Sequence, residues 1–177
     1  MHTRTLLLAS VFAIGCSSSV AASIEGVIRP FLVPAGAETL PAVDAAKKIP
    51  GATWRQQEAG RIGVWSTASV KGRKGLVVSI HGDRAAASRL RIEQFIRNGV
   101  NDSDVLNDKS LGRGDLKQMA MECSGTGGTV PAYQFTAPGF KPVYVVFDES
   151  FGTREGSTWV DVFHMNSDMK LRCETGG

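Results

Sequence analysis

Apolar positions fall into three textures along this chain. The first is a run broken by Ser10 alone, Leu6-Leu7-Leu8-Ala9-Ser10-Val11-Phe12-Ala13-Ile14, which follows a short positive start ending in Arg4. Its length is too short for a bilayer span, which takes about 20 apolar residues, and suits the hydrophobic core of an export signal. Small residues close it at Val20-Ala21-Ala22, so cleavage is expected after Ala22 and residues 1–22 read as a signal peptide. The stretch Phe12-Ala13-Ile14-Gly15-Cys16 also resembles a bacterial lipoprotein box, except that Ala13 stands where Leu is usual. Lipidation of Cys16 is therefore the alternative fate of this end of the chain.

The second texture, residues 23–60, has little periodicity and carries Pro30, Pro34, Pro41 and Pro50. Each proline removes a donor and restrains the residue before it. An extended N-terminal arm is expected here, with a helical turn or two over Ala42 to Lys48.

The third texture, residues 61–177, is that of a compact domain. Ile62, Val64 and then Lys74 to His81 predict two strands joined by the basic turn Val70-Lys71-Gly72-Arg73. Asp83 stands as an N-cap before Ala85, Ser88, Ile92, Phe95 and Ile96, whose spacing predicts a helix from Arg84 to about Asn98. Its other side carries Arg84, Arg89, Arg91 and Arg97 against Glu93, which reads as a solvated face or as an anion contact. A second helix start is expected at Asn101 or Ser103. Three β-rich runs follow, Val130–Phe135, Val143–Phe147 and Thr158–Met165, with connections too short for crossover helices, so an antiparallel meander is expected. The resulting fold class is α+β: an antiparallel sheet of about five strands, one or two helices on one face, and a single disulfide.

Composition narrows this picture. The formal charge is +3, and removal of residues 1–22 takes away Arg4 and no acid, leaving +2. That is far from the clustered cationic surface of a nucleic-acid binder. No other window approaches transmembrane length. With Cys16 lost or lipidated, Cys123 and Cys173 are the two thiols left to pair within the fold. In an oxidising compartment such a pair forms a bridge. It would close a loop of about 50 residues and contribute roughly 4 kcal/mol by constraining the unfolded chain.

Candidate chemistry is sparse. His81 and His164 are the histidines of the mature chain, and both fall in predicted strands. With Asp83, Asp148 or Asp161 they could form a two-histidine, one-carboxylate metal site or an acid/base pair. Parity along the last strand puts His164 with Val160 and Val162, and Asp161 with Trp159, Phe163 and Met165, so one of the two polar groups should be buried and hydrogen-bonded. Ser79, His81 and Asp83 lack triad geometry and no GxSxG elbow is present. The glycine-rich Ser124–Thr129 stretch lacks the lysine and the following helix of a phosphate loop. The Asn101–Asp108 stretch lacks the glycine of an EF-hand.

No cofactor is implied. What remains is a stapled, exported domain with loops that a rigid sheet could present: Ser124, Thr126 and Thr129 in one, Phe151, Arg154 and Glu155 in another. The expectation is a periplasmic or secreted protein-binding module of a bacterial envelope, such as an inhibitor or immunity protein against a cell-wall-targeting enzyme or toxin. The competing expectations are a small periplasmic enzyme or metal-binding protein using His81 and His164, and a structural envelope lipoprotein of the outer membrane.

Overall fold

The computed structural model describes residues 24–58, 64–71, 75–97, 111, 114–125, 128–151 and 155–175. The expected signal, Cys16 and the helix start at Asn101 or Ser103 lie outside them. The described residues are mostly an antiparallel sheet, so the expected α+β class is corrected to a largely β one. Its strands are β1 (Ala52–Glu58), β2 (Val64–Val70), β3 (Leu76–Gly82), β4 (Ala87–Arg97), β5 (Asp115–Gly125), β6 (Gly128–Thr136), β7 (Val143–Phe151) and β8 (Glu155–Phe163). They lie in the order β1-β2-β3-β4-β8-β7-β6-β5. Two four-stranded meanders are thus joined through their last strands, with Ile92 of β4 opposite Val160 of β8. Helices are few and short: α1 (Ile24–Ile28), α2 (Val43–Ala46) and α3 (Asn166–Thr175).

The expected helix from Arg84 to Asn98 is corrected by the structure. Asp83 does make the bonds of a cap, its carboxylate accepting from the Ala85 and Ala86 amides at 2.8 and 2.7 Å. Those bonds close a turn between β3 and β4 instead of starting a helix. Gly82 permits that turn: its φ is +150°, and a Cβ there would meet the Ala86 carbonyl oxygen at 2.1 Å. Beyond the turn the alternation Arg89-Leu90-Arg91-Ile92-Glu93 has the period of a strand. Leu90 and Ile92 are fully buried, and β4 pairs on both sides, with β3 and β8. The expectation of about five strands is corrected with it: eight are described, because β4 reads as a helix, β1 is polar and β5 alternates through Met119 and Met121.

Other expectations hold. The hairpin of β2 and β3 forms with antiparallel register. Strands β6, β7 and β8 form the expected meander, and Cys123 is bonded to Cys173.

The two faces of the sheet are covered differently. On the upper face Val78, Ile80, Leu90, Ile92, Val145, Val160 and Val162 pack with Val27, Ile28, Phe31, Val43 and Ile49 from the segment before β1. Each such buried side chain contributes about 1.5–3 kcal/mol over exposure. The same segment is laced to the sheet by backbone bonds, Ala87 N to Pro41 O at 2.8 Å and Lys141 N to Val33 O at 2.8 Å. On the lower face a smaller cluster of Cys123, Ala132, Val146, Phe163, Met169 and Cys173 seats α3 over β5, β7 and β8.

Candidate functional site

Strand direction decides which connections share an end of the sheet. Gly125 pairs with Gly128 at the turn of β5 and β6, and Phe151 pairs with Gly156 at the turn of β7 and β8. One strand pair separates the two turns, so in an up-and-down meander both lie at the same end. Strands about 4.8 Å apart place them about 10 Å from each other. The turn of β6 and β7, residues 136–143, lies at the opposite end.

The roots of these two hairpins are tied together by the last turns of α3. Cys173 is bonded to Cys123, the residue before Ser124. Its neighbour Arg172 donates from Nη1 to the Ser124 carbonyl at 2.8 Å and from Nη2 to Asp148 Oδ2 at 2.8 Å. Arg172 Nε faces Asp161 Oδ2 at 3.5 Å. Gly125 allows the closest approach, since a Cβ there would stand 2.9 Å from both Asp148 Oδ1 and Val130 Cγ1. One buried guanidinium thus holds the β5 root by its backbone and the β7 root by its carboxylate.

The tie continues across the sheet. Asp161, fully buried, also accepts a bidentate pair from Arg91, Nε to Oδ1 and Nη2 to Oδ2, both at 2.7 Å. That pairing raises the pKa of Arg91. The parity expectation of a buried, satisfied Asp161 or His164 is met at Asp161. Two buried carboxylates and two arginines form one chain, Arg91–Asp161–Arg172–Asp148. Burying such charges costs several kcal/mol each before pairing, so a network of this kind is a device for fixing geometry more than a source of net stability.

The two histidines do not meet. His81 faces the lower side, where Arg89 Nη2 donates to its Nδ1 at 2.6 Å. Burial, then the Arg89 charge, lowers its pKa to about 3, so the ring is a neutral acceptor. His164 follows Phe163 and faces the other side, its ring stacked on Phe31 with centroids 4.0 Å apart. Burial lowers its pKa to about 4, partly offset by its bond to the Phe31 carbonyl. Among the described residues no group of three or more His, Cys, Asp or Glu is placed to hold a metal ion. Asp83 is exposed and engaged in its own turn, and Asp148 and Asp161 belong to the arginine chain.

Of the expected contact residues, Ser124 and Thr129 are exposed and directly paired across the β5–β6 hairpin. Phe151 ends β7 and Glu155 begins β8; their side chains, Thr126 and Arg154 lie outside the described residues. Sequence reasoning missed Arg172. Its one signal is adjacency to a bridged cysteine, which says that a side chain sits near another segment without saying which. A cleft of about 410 Å³ lies at the far end, lined by Ile28, Leu32, Leu111, Phe135 and Phe140 with Glu25 and Arg29 at its rim. No helix among the described residues is long and apolar enough to cross a membrane. Comparison with protein-family models, with curated proteins and with solved structures finds no match to this chain.

Proposed function

We propose that this protein is an exported binding module of the bacterial envelope, which recognises another protein through the β5–β6 and β7–β8 hairpin ends and acts by occluding it, as an inhibitor or immunity protein does. The observation that carries the reading is the clamp: Arg172 and Cys173 of α3 fix the roots of both hairpins with a buried guanidinium and a disulfide. Rigid presentation of a loop lowers the ordering cost of binding, and binding residues concentrate on loops held by a rigid scaffold. The buried disulfide fits an oxidising compartment, and export through residues 1–22 would take the chain there.

Phe151 and Arg154 are of the types that most often dominate binding energy. Their joint replacement by alanine is expected to weaken capture of the partner from envelope extract by at least about 2 kcal/mol, with thermal unfolding nearly unchanged. Equal recovery of the same partner by wild type and variant would remove this surface from consideration.

A further inference from the structure

Among the described residues, the lower face of the sheet is only half covered. Helix α3 lies over β5, β7 and β8. On the same face, toward β1, Thr53, Arg55 and Ser69 are exposed and Ser79, Arg89, Arg91 and Glu93 are half-buried. Phe95, also on this face, is 47 % exposed. Register brings these residues into rows: Ser79 beside Arg91 beside Asp161, and His81 beside Arg89 beside Phe163. A merely solvated face carries charges on loose stems. Here the two central arginines are held from beneath, Arg91 by both oxygens of buried Asp161 and Arg89 by the His81 ring, and each lies over an aromatic ring, Arg91 over Trp159 at 5.8 Å and Arg89 over Phe163 at 6.0 Å.

Resting on the protein-binding reading above, we propose that the β1–β4 half of this face docks an acidic, extended segment of the partner protein. Arg89 and Arg91 stand two residues apart on one strand, about 6.6–7 Å, which is the spacing of carboxylates on alternate residues of an extended chain. Their planar guanidiniums, already fixed, meet carboxylates with little further loss of freedom. Arg55 extends the positive side toward β1, and Phe95 supplies an apolar contact near the hairpin ends. With Arg91 balanced by buried Asp161, Arg89 and Arg55 against Glu93 leave the described part of this face positive by one charge, while the whole chain carries only +3. Such a modest charge favours a short acidic protein segment over a nucleic-acid backbone, whose binding needs many phosphate contacts.

The test titrates the protein with its disulfide intact, at low ionic strength, with a labelled ten-residue peptide of alternating Glu and Thr. A peptide of alternating Lys and Thr and a ten-nucleotide single-stranded DNA are run beside it. The glutamate peptide is expected to bind and the lysine peptide not to. Arg89→Gln should weaken binding about tenfold, and so should the double variant Arg55→Glu/Phe95→Ala, which changes only exposed positions outside the buried ion chain. The docking proposal is overturned if the glutamate peptide does not bind, if neither variant weakens it, or if the DNA binds more tightly. If it fails while Phe151→Ala/Arg154→Ala still abolishes partner capture, the hairpin reading stands without it. If it succeeds while that hairpin variant captures the partner normally, the hairpin reading alone falls.

Discussion

At the scale of single residues, Arg172 joins more of the structure than any sequence signal suggests. Its three nitrogens reach Ser124, Asp148 and Asp161, and removing a charge from a buried set costs more than the set contributes as a whole, because the carboxylates stay behind. Arg172→Met keeps the side chain's length without its charge. It is expected to lower unfolding free energy in denaturant by about 3 kcal/mol; a loss below about 1 kcal/mol would mean that the arginine does not tie the hairpin roots. The histidines make a second residue-level claim. His81 and His164 have folded pKa values of about 3 and about 4, below the ordinary 6.5. Between those values the unfolded chain takes up protons that the folded chain does not, so stability falls as pH drops from about 6.5 toward 4 and 3. The denaturation midpoint of the wild type should fall between pH 7 and pH 4.5, and that of His81→Gln/His164→Gln should fall less. Equal falls would show that the two rings are not the groups responsible.

At the scale of elements, β4 separates what local sequence says from what pairing decides. Asp83 with Ala85 and Ala86 makes cap-like bonds, and Ile92, Phe95 and Ile96 match a helical stripe, so two true local signals point to a helix. The alternation around Leu90 carries the strand signal, and only partners on both flanks, β3 and β8, make it win. Two large apolar residues separate the readings most clearly. Leu90, which has no place on the helical stripe, is fully buried, whereas Phe95, which has one, is 47 % exposed. Leu90→Ala should therefore cost about 3 kcal/mol and Phe95→Ala well under about 1 kcal/mol, measured by chemical denaturation; the reverse order would restore the helix. The β2–β3 hairpin, the β6–β8 meander and the disulfide were legible because alternation, short glycine-bearing turns and an even cysteine pair are each local signals. The clamp was not, because Arg172 meets Asp148 and Ser124 across 24 and 48 positions of sequence. Edge strand β1 was hidden too: among its described side chains Ala52 and Trp54 pack against the core, while Thr53 and Arg55 are exposed.

At the scale of the molecule, the two meanders give the sheet distinct ends, and the fold builds them differently. One end is closed by the segment before β1, through Lys141 to Val33 and Ala35 to Gly139. The other gathers the two hairpin turns whose roots α3 fixes. The candidate loops could be named from sequence, but their common end follows only from strand order, which no single segment specifies. On the proposed function, the partner covers the clamped end. Hydrogen exchange by mass spectrometry on the protein, free and bound to the partner captured from envelope extract, reads this directly. The expected result is slower exchange on binding in residues 124–129 and 150–157, with the turn at 136–142 unchanged. Slowing confined to residues 136–142 and the segment before β1, with the two hairpins exchanging as in the free protein, would contradict it.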